Sequence, residues 1–379
     1  MSGQILCKSI SCADSSGKMC FHSFNRRAVL PSDIHIKIRY SGVCHSDIHC
    51  GKGDWGKKIY PLCTGHEILG DVIAVGSDVK KFKVGDVGGV GCFVDSCREC
   101  EECKEGDQQY CSGTNSNGLS GFRGTYAHKE TEKLVPGGIT QGGYSTDIVV
   151  DENFAVKVPE SLNRPEAAPL LCAGITCFSP FIQAGIRPGM KVAVAGLGGL
   201  GHMAVKIAKK LGAEVTVLTR SPSKVESAMA MGASNVVVTS NEAEVKAAAK
   251  SVNLLYNCIS ASHDMVFYLS FLKNRGTMIV VGLPPEPIAN LKAGTLAGRG
   301  LSIKGSMLGG MKSTQEMIDF CARHGIVSDI ELIPATPEAV DVAWERTMKS
   351  DVKYRFVLDT AATLGQEFDE RAAKKAKLS

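Results

Sequence analysis

From about Met190 onward, short apolar runs alternate with longer amphipathic ones. KVAVA is followed by a glycine cluster and a helical stretch through Leu211. EVTVL then leads to a helix opening at Ser221-Pro222, where proline suits a first helical turn. The alternation goes on through NVVVT, a helix from about Asn241, NLLYNCI, a helix capped near Ser262, TMIVVG and LSIKG near residue 303. Six strands joined by short helical connections predict a doubly wound parallel sheet of the Rossmann α/β class. The first 160 or so residues have a different texture. Runs such as IHIKIRY and DVIAVG are separated by glycine-rich turns without regular strand-helix alternation, which predicts a strand-rich, irregular domain. After residue 310, the helix TQEMIDFCARHG and the segment VKYRFVLD are expected to return to that first domain.

The chain has 379 residues, too many for a typical single domain and enough for two cores. The expected division is 1–172 with 311–379 against 173–310. Charged residues make up 22% and the hydrophobic set 44%, an ordinary globular balance. A net charge of +4, with both signs interspersed, gives no field for nucleic acid. The basic cluster Arg371, Lys374, Lys375 and Lys377 is expected to be a solvated tail. No apolar stretch approaches the roughly 20 residues of a membrane span, and MSGQILCKSISCADSSGK lacks a signal-peptide core, so the expectation is a cytoplasmic enzyme with no membrane partner. Fifteen cysteines in a reducing compartment make metal ligation, not disulfide bonding, the first question.

Cys97, Cys100, Cys103 and Cys111 form C-x2-C-x2-C-x7-C in the polar stretch CRECEECKEGDQQYC, the centre of a lobe expected over 95–112. Short intervals let four thiolates converge on one tetrahedral zinc ion, and four cysteines leave no open position for substrate. Such a site is structural. An iron-sulfur cluster uses the same donor set and is the alternative at this stage.

Gly196-Leu197-Gly198-Gly199-Leu200-Gly201 is G-x-G-x-x-G placed directly after an apolar strand and before a helix. The first glycine serves a tight turn, the second lets the backbone approach a pyrophosphate, and the third lets helix pack on strand. Selection of NAD calls for an acid at the end of the next strand, about 20 residues on. That place reads Thr219-Arg220-Ser221, with Lys224 beyond, and cations with hydroxyls suit the 2′-phosphate of NADP(H).

GVCHSDIH, containing Cys44, and GHE, containing His66 and Glu67, bring a thiolate, an imidazole and carboxylates into a short span. Spacing by itself does not separate these from ordinary core or surface residues. Here, however, the sequence resembles the zinc-containing medium-chain alcohol dehydrogenases, and among them the cinnamyl alcohol dehydrogenase-like branch. The resemblance runs over nearly the whole chain, through GVCHSDIH, GHE, VGSDVKKFKVGDVGGVG, the four-cysteine lobe, QGGYS, AAPLLCAGIT, GLGGLGHMAVKIAK and VKYRFVLD.

That resemblance implies a GroES-like catalytic domain beside the Rossmann domain, two zinc ions per chain, and a homodimer acting on a small alcohol or aldehyde. It implies a catalytic zinc on Cys44, His66 and Cys172, with Glu67 able to enter the coordination sphere and Asp47 orienting His66. Cys172 is assigned by the resemblance alone. It implies hydride transfer between NADP(H) and the carbonyl carbon, with Ser46 and His49 relaying the proton. Further cofactor contacts implied are Thr176, Gly282, Ser306, Met307 and Leu308. Cys258 stands where the branch often has threonine, and Trp55 resembles a substrate-pocket aromatic. The connection Ser112 to Gly143 is longer than the branch's usual one, a departure that bears on access to the site.

Overall fold

The computed structural model describes residues 3–114, 121–131, 135–284, 287 and 290–364. The basic tail with Arg371, Lys374, Lys375 and Lys377 lies outside them. The chain divides into two units, Met1–Cys172 with Gly310–Ser379, and Ala173–Gly309.

In the second unit six parallel strands follow the order Asn235–Val238, Glu214–Thr219, Lys191–Ala195, Val252–Asn257, Leu272–Val280 and Ser302–Gly305. Val192 to Ala195 are wholly buried, which is why that strand is a continuous apolar run instead of an alternating one. Chain order reverses between Lys191–Ala195 and Val252–Asn257, and such a switch point opens a crevice at the carboxyl ends of the strands. The glycine cluster follows Ala195 directly. One predicted boundary moves: the helix expected near Ser262 spans Met265–Leu269, because Asp264 accepts hydrogen bonds from the N–H groups of Val266 and Phe267 at 2.9 and 3.2 Å.

The first unit is built on a seven-stranded sheet. Its order is Ile330–Pro334, Arg355–Asp359, Asp33–Gly42, Ile68–Val75, Val87–Val90 and Val156–Lys157, with Asp147–Asp151 also paired to Asp33–Gly42. The two C-terminal strands therefore belong to this unit. Register positions the chemistry. Ser41 pairs with Ile68 and Gly42 with Val357, and the Gly42 N–H donates to the Glu67 carbonyl at 2.9 Å while the Val43 N–H donates to the Phe356 carbonyl at 2.9 Å. The segments 42–44, 65–67 and 355–357 thus meet at one end of the sheet. Beneath them lies a core of Val43, Ile48, Tyr144, Trp344, Phe356 and Leu358. Among the described residues no single helix is long and apolar enough to cross a membrane.

Candidate active site

Cys44 precedes the helix His45–Gly51, and Asp47, three residues on, accepts from the Cys44 N–H at 2.8 Å. This capping contact turns the Asp47 carboxylate inward, where it is wholly buried. Asp47 also accepts from the Gly65 N–H at 3.0 Å and from the Tyr144 hydroxyl at 3.1 Å, and its Oδ1 lies 3.0 Å from His66 Nδ1. Gly65 adopts φ +100°, and a Cβ there would stand 2.6 Å from the Tyr144 ring, so glycine is required before the histidine. A Cβ on Gly42 would stand 1.9 Å from Glu67 Oε2, which explains the other glycine beside the site.

A carboxylate facing Nδ1 holds the imidazole proton there and leaves the lone pair on Nε2. His66 Nε2 is buried without a hydrogen-bond partner. The ligand atoms of Cys44, His66, Glu67 and Cys172 all lie within 4.8 Å of one another, with the two sulfurs 4.0 Å apart. Hydrogen bonding to Cys172 holds the Cys44 thiol well below its ordinary range against the effect of burial, with help from Arg355 and His66. The same contact, together with Cys92 and burial, pushes Cys172 well up. Burial opposes a charge on His66, yet Cys92, Asp47 and Cys44 outweigh it and raise its proton affinity. An electron-rich, buried cluster with an orphaned imidazole nitrogen is what a soft divalent cation would satisfy.

Two further residues complete this cluster, and sequence reasoning assigned neither. Arg355 donates to the Val43 carbonyl at 3.2 Å and sets its guanidinium 3.1 Å from Glu67 Oε1. That second contact lacks hydrogen-bond alignment, so both Glu67 oxygens remain without a hydrogen bond. Burial pushes the Glu67 carboxyl up to about 8, with Arg355 acting against it. Cys92 places a third thiol within hydrogen-bonding reach of Cys172 and His66. A charged residue at the head of the apolar strand RFVLD was the available signal for Arg355.

Ser46 Oγ lies 3.8 Å from Cys44 Sγ. His49, on the same helix, bonds through Nδ1 to Asp54 at 2.8 Å and stacks on Trp55 at 5.3 Å between ring centroids. Trp55 is half exposed, and Asp54 was not singled out from sequence.

The other four cysteines also converge. Cys97 and Cys103 sulfurs stand 3.8 Å apart and those of Cys100 and Cys111 3.9 Å. A tetrahedron with bonds of about 2.3 Å has edges of about 3.8 Å, so the spacing fits a zinc ion. The N–H groups of Cys97, Glu99 and Cys100 point at sulfur at 3.3 to 3.4 Å, a pattern that stabilises thiolate.

In the second unit Gly196 has φ +92°, and a Cβ on Gly201 would lie 2.0 Å from the Gly196 carbonyl. Around Gly198 a Cβ meets nothing within 4 Å, which leaves room for a phosphate at the start of the helix Gly199–Lys210, whose N-terminus has no side-chain cap. Leu197 is buried, and its carbonyl accepts from Lys224 Nζ at 3.0 Å. Burial and the nearby Arg220 both lower the proton affinity of Lys224, a repulsion that an anion would relieve. Arg220 is exposed, and the Thr219 hydroxyl accepts from the Ser221 N–H at 3.2 Å. Thr176 is buried with its carbonyl bonded to the Tyr256 hydroxyl at 3.0 Å. A Cβ on Gly282 would lie 2.3 Å from the Ile259 carbonyl. The Ser306 N–H donates to Val280 at 3.1 Å, Met307 is exposed, and Leu308 has φ +55°. Cys258 donates to the carbonyls of Ala195 and Gly196 at 3.1 and 3.4 Å, bracing the first glycine from below.

Residues 30–160 match the alcohol dehydrogenase GroES-like domain and residues 199–323 the zinc-binding dehydrogenase domain. The chain is 49% identical over 340 residues to NADP-dependent alcohol dehydrogenase C 1 of Mycolicibacterium smegmatis, covering 90% of this chain and 94% of that protein. It is 45% identical to 8-hydroxygeraniol dehydrogenase of Catharanthus roseus, covering 93% and 94%. Among solved structures it is similar to a cinnamyl alcohol dehydrogenase of Sorghum bicolor, with TM-score 0.87, 41% identity and coverage of 95% and 99%. The Helicobacter pylori CAD solved with NADP(H) gives TM-score 0.84 at 38% identity, with coverage of 95% and 99%.

Proposed function

Because this chain belongs to the zinc-containing alcohol dehydrogenase family, we propose that it interconverts primary alcohols and aldehydes with NADP(H), using one catalytic and one structural zinc ion. The observation that carries the reading is the buried set of Cys44, His66 and Cys172 around the unpartnered His66 Nε2. Bound there, zinc would polarise the carbonyl oxygen as a Lewis acid while the dinucleotide supplies the hydride.

The chain's own residues prepare that chemistry. Asp47 keeps the His66 proton on Nδ1, so that the neutral imidazole presents Nε2 to the metal. Arg355 holds Glu67 beside the ligands, where the carboxyl is available to answer a change in their number. Ser46 Oγ, next to Cys44, holds the proton that the product alcohol needs. His49 passes that proton on to solvent, its ring oriented by the Asp54 carboxylate on Nδ1. Cys97, Cys100, Cys103 and Cys111 hold the structural ion.

The nucleotide site takes its phosphate preference from Arg220, Ser221 and Lys224, with no acid among residues 219–224. Fifteen free cysteines suit a cytoplasmic setting, and a homodimer belongs to the same reading. Substrate class is open to a panel of aromatic (cinnamyl-type) and medium-chain aliphatic aldehydes assayed with NADPH. Zinc analysis should approach two ions per chain; a value near zero, or reduction indifferent to chelation, would overturn the proposal. Arg220→Asp should cut kcat/KM for NADPH by about 10- to 100-fold, the worth of one charge-assisted contact, and improve NADH. An unchanged NADPH to NADH ratio would place the 2′-phosphate elsewhere.

A further inference from the structure

We propose that Tyr126 is a positioning residue of the catalytic metal centre: its hydroxyl secures His66 in the ligating orientation, and the segment 121–131 after the four-cysteine lobe is the scaffold that aims it. This rests on the metal reading of Cys44, His66 and Cys172 given above.

The geometry is direct. Tyr126 Oη lies 3.0 Å from His66 Nδ1, the atom that also faces Asp47 Oδ1 at 3.0 Å, and the two rings are 5.7 Å apart. A carboxylate at that distance disfavours a lone pair on Nδ1, so the nitrogen carries its proton and the Tyr126 hydroxyl oxygen accepts from it. The imidazole plane is then fixed from two sides, and Nε2 is aimed at the sulfurs.

The chain on either side of Tyr126 is pinned. Thr125 donates through its N–H to the Cys92 carbonyl at 3.1 Å and through Oγ1 to Gly91 at 2.5 Å. Ala127 donates to the Thr140 carbonyl at 2.9 Å. Arg123 stands between Asp95 at 2.9 Å and Glu130 at 2.7 Å, and Arg123–Gly124 pairs with the strand Phe93–Asp95 that runs into Cys97. The ring itself packs on Cys50, Leu62 and Ile139. A partly buried tyrosine in such a cluster could serve packing alone, and only the hydroxyl separates the two roles.

The test uses the full-length zinc-loaded protein and the chromogenic chelator 4-(2-pyridylazo)resorcinol. The unaltered chain is expected to release its ions in two kinetic phases. Tyr126→Phe keeps the ring but should accelerate the Cys44–His66–Cys172 phase about 10- to 100-fold, the usual cost of losing a group that orients a metal-bound histidine, and leave the four-cysteine phase unchanged. In an Asp47→Asn background the same substitution should add much less, because both act through His66. Cobalt substitution should show a shifted visible spectrum in Tyr126→Phe. Arg123→Gln is the second arm and should accelerate the same phase selectively. Unchanged release in Tyr126→Phe, or equal acceleration of both phases, overturns the inference. A single ion in the unaltered chain instead overturns the metal reading on which it rests.

Discussion

Replacing Cys44 with alanine should remove one zinc ion per chain and lower aldehyde reduction by about a thousandfold or more. Loss of Lewis-acid polarisation costs several kcal/mol of transition-state stabilisation, and each 1.36 kcal/mol is a factor of ten. The site has little to put in the missing thiolate's place. Cys172 stands 4.0 Å away and already belongs to the proposed ligand set, and the Glu67 carboxylate is drawn to Arg355, which leaves Cys92 as the thiol that could move in. The cysteine set at 97–111 is a separate cluster and should keep its ion. The glycine turn and Lys224 lie in the other unit, so NADPH affinity should change little. Zinc quantification, steady-state kinetics and cofactor titration on one preparation check all three expectations. Retention of both ions with full activity would sink the assignment of Cys44.

Replacing Cys100 with serine should remove the other ion and act on stability. The lobe has few apolar side chains: CRECEECKEGDQQYC is mostly charged or polar, and its helical pieces, Glu101–Glu105 and Gln108–Tyr110, are five and three residues long. Helices that short do not persist without an external constraint, so metal binding would supply the folding energy of this segment. The lobe in turn supports its own unit. Gln108 Oε1 accepts from the Met311 N–H at 3.0 Å, capping the helix Met311–His324, and a Cβ on Gly310 would collide with the Gly106 carbonyl at 1.6 Å. Melting temperature should fall by on the order of 10 °C, since a structural zinc contributes several kcal/mol and each is worth about 2–4 °C in a domain this large. Trypsin should open the chain at Arg98 or Lys104. An unchanged melting point and cleavage pattern would show that the four thiols carry no structural ion.

The two metal clusters differ in how far the sequence could disclose them. Four cysteines within fifteen positions converge because the chain between them is too short to do otherwise, and the glycine motif marks itself by lying between a buried strand and a helix. Local spacing was enough there, as it was for most strands of the parallel sheet. The helix near residue 262 began later than the pattern indicated because Asp264, and not the serine before it, offers its side chain to the first N–H groups.

Cys172 lies 128 residues from Cys44, and no spacing rule relates them. Only the family resemblance pointed to it. Arg355 is 312 residues from the Val43 carbonyl it holds, and Tyr126 is 60 from the histidine it touches. Such pairs are decided by sheet register. Once Ser41 opposes Ile68 and Gly42 opposes Val357, the ends of three strands deliver a thiolate, an imidazole and a guanidinium to one place. The sequence by itself determined the elements, the four-thiolate lobe and the nucleotide turn, because those depend on interactions over a few residues. The tertiary structure alone decided which tyrosines, which arginine and which third thiol surround the candidate catalytic metal, because desolvation and hydrogen bonding act between neighbours in space whatever their distance along the chain.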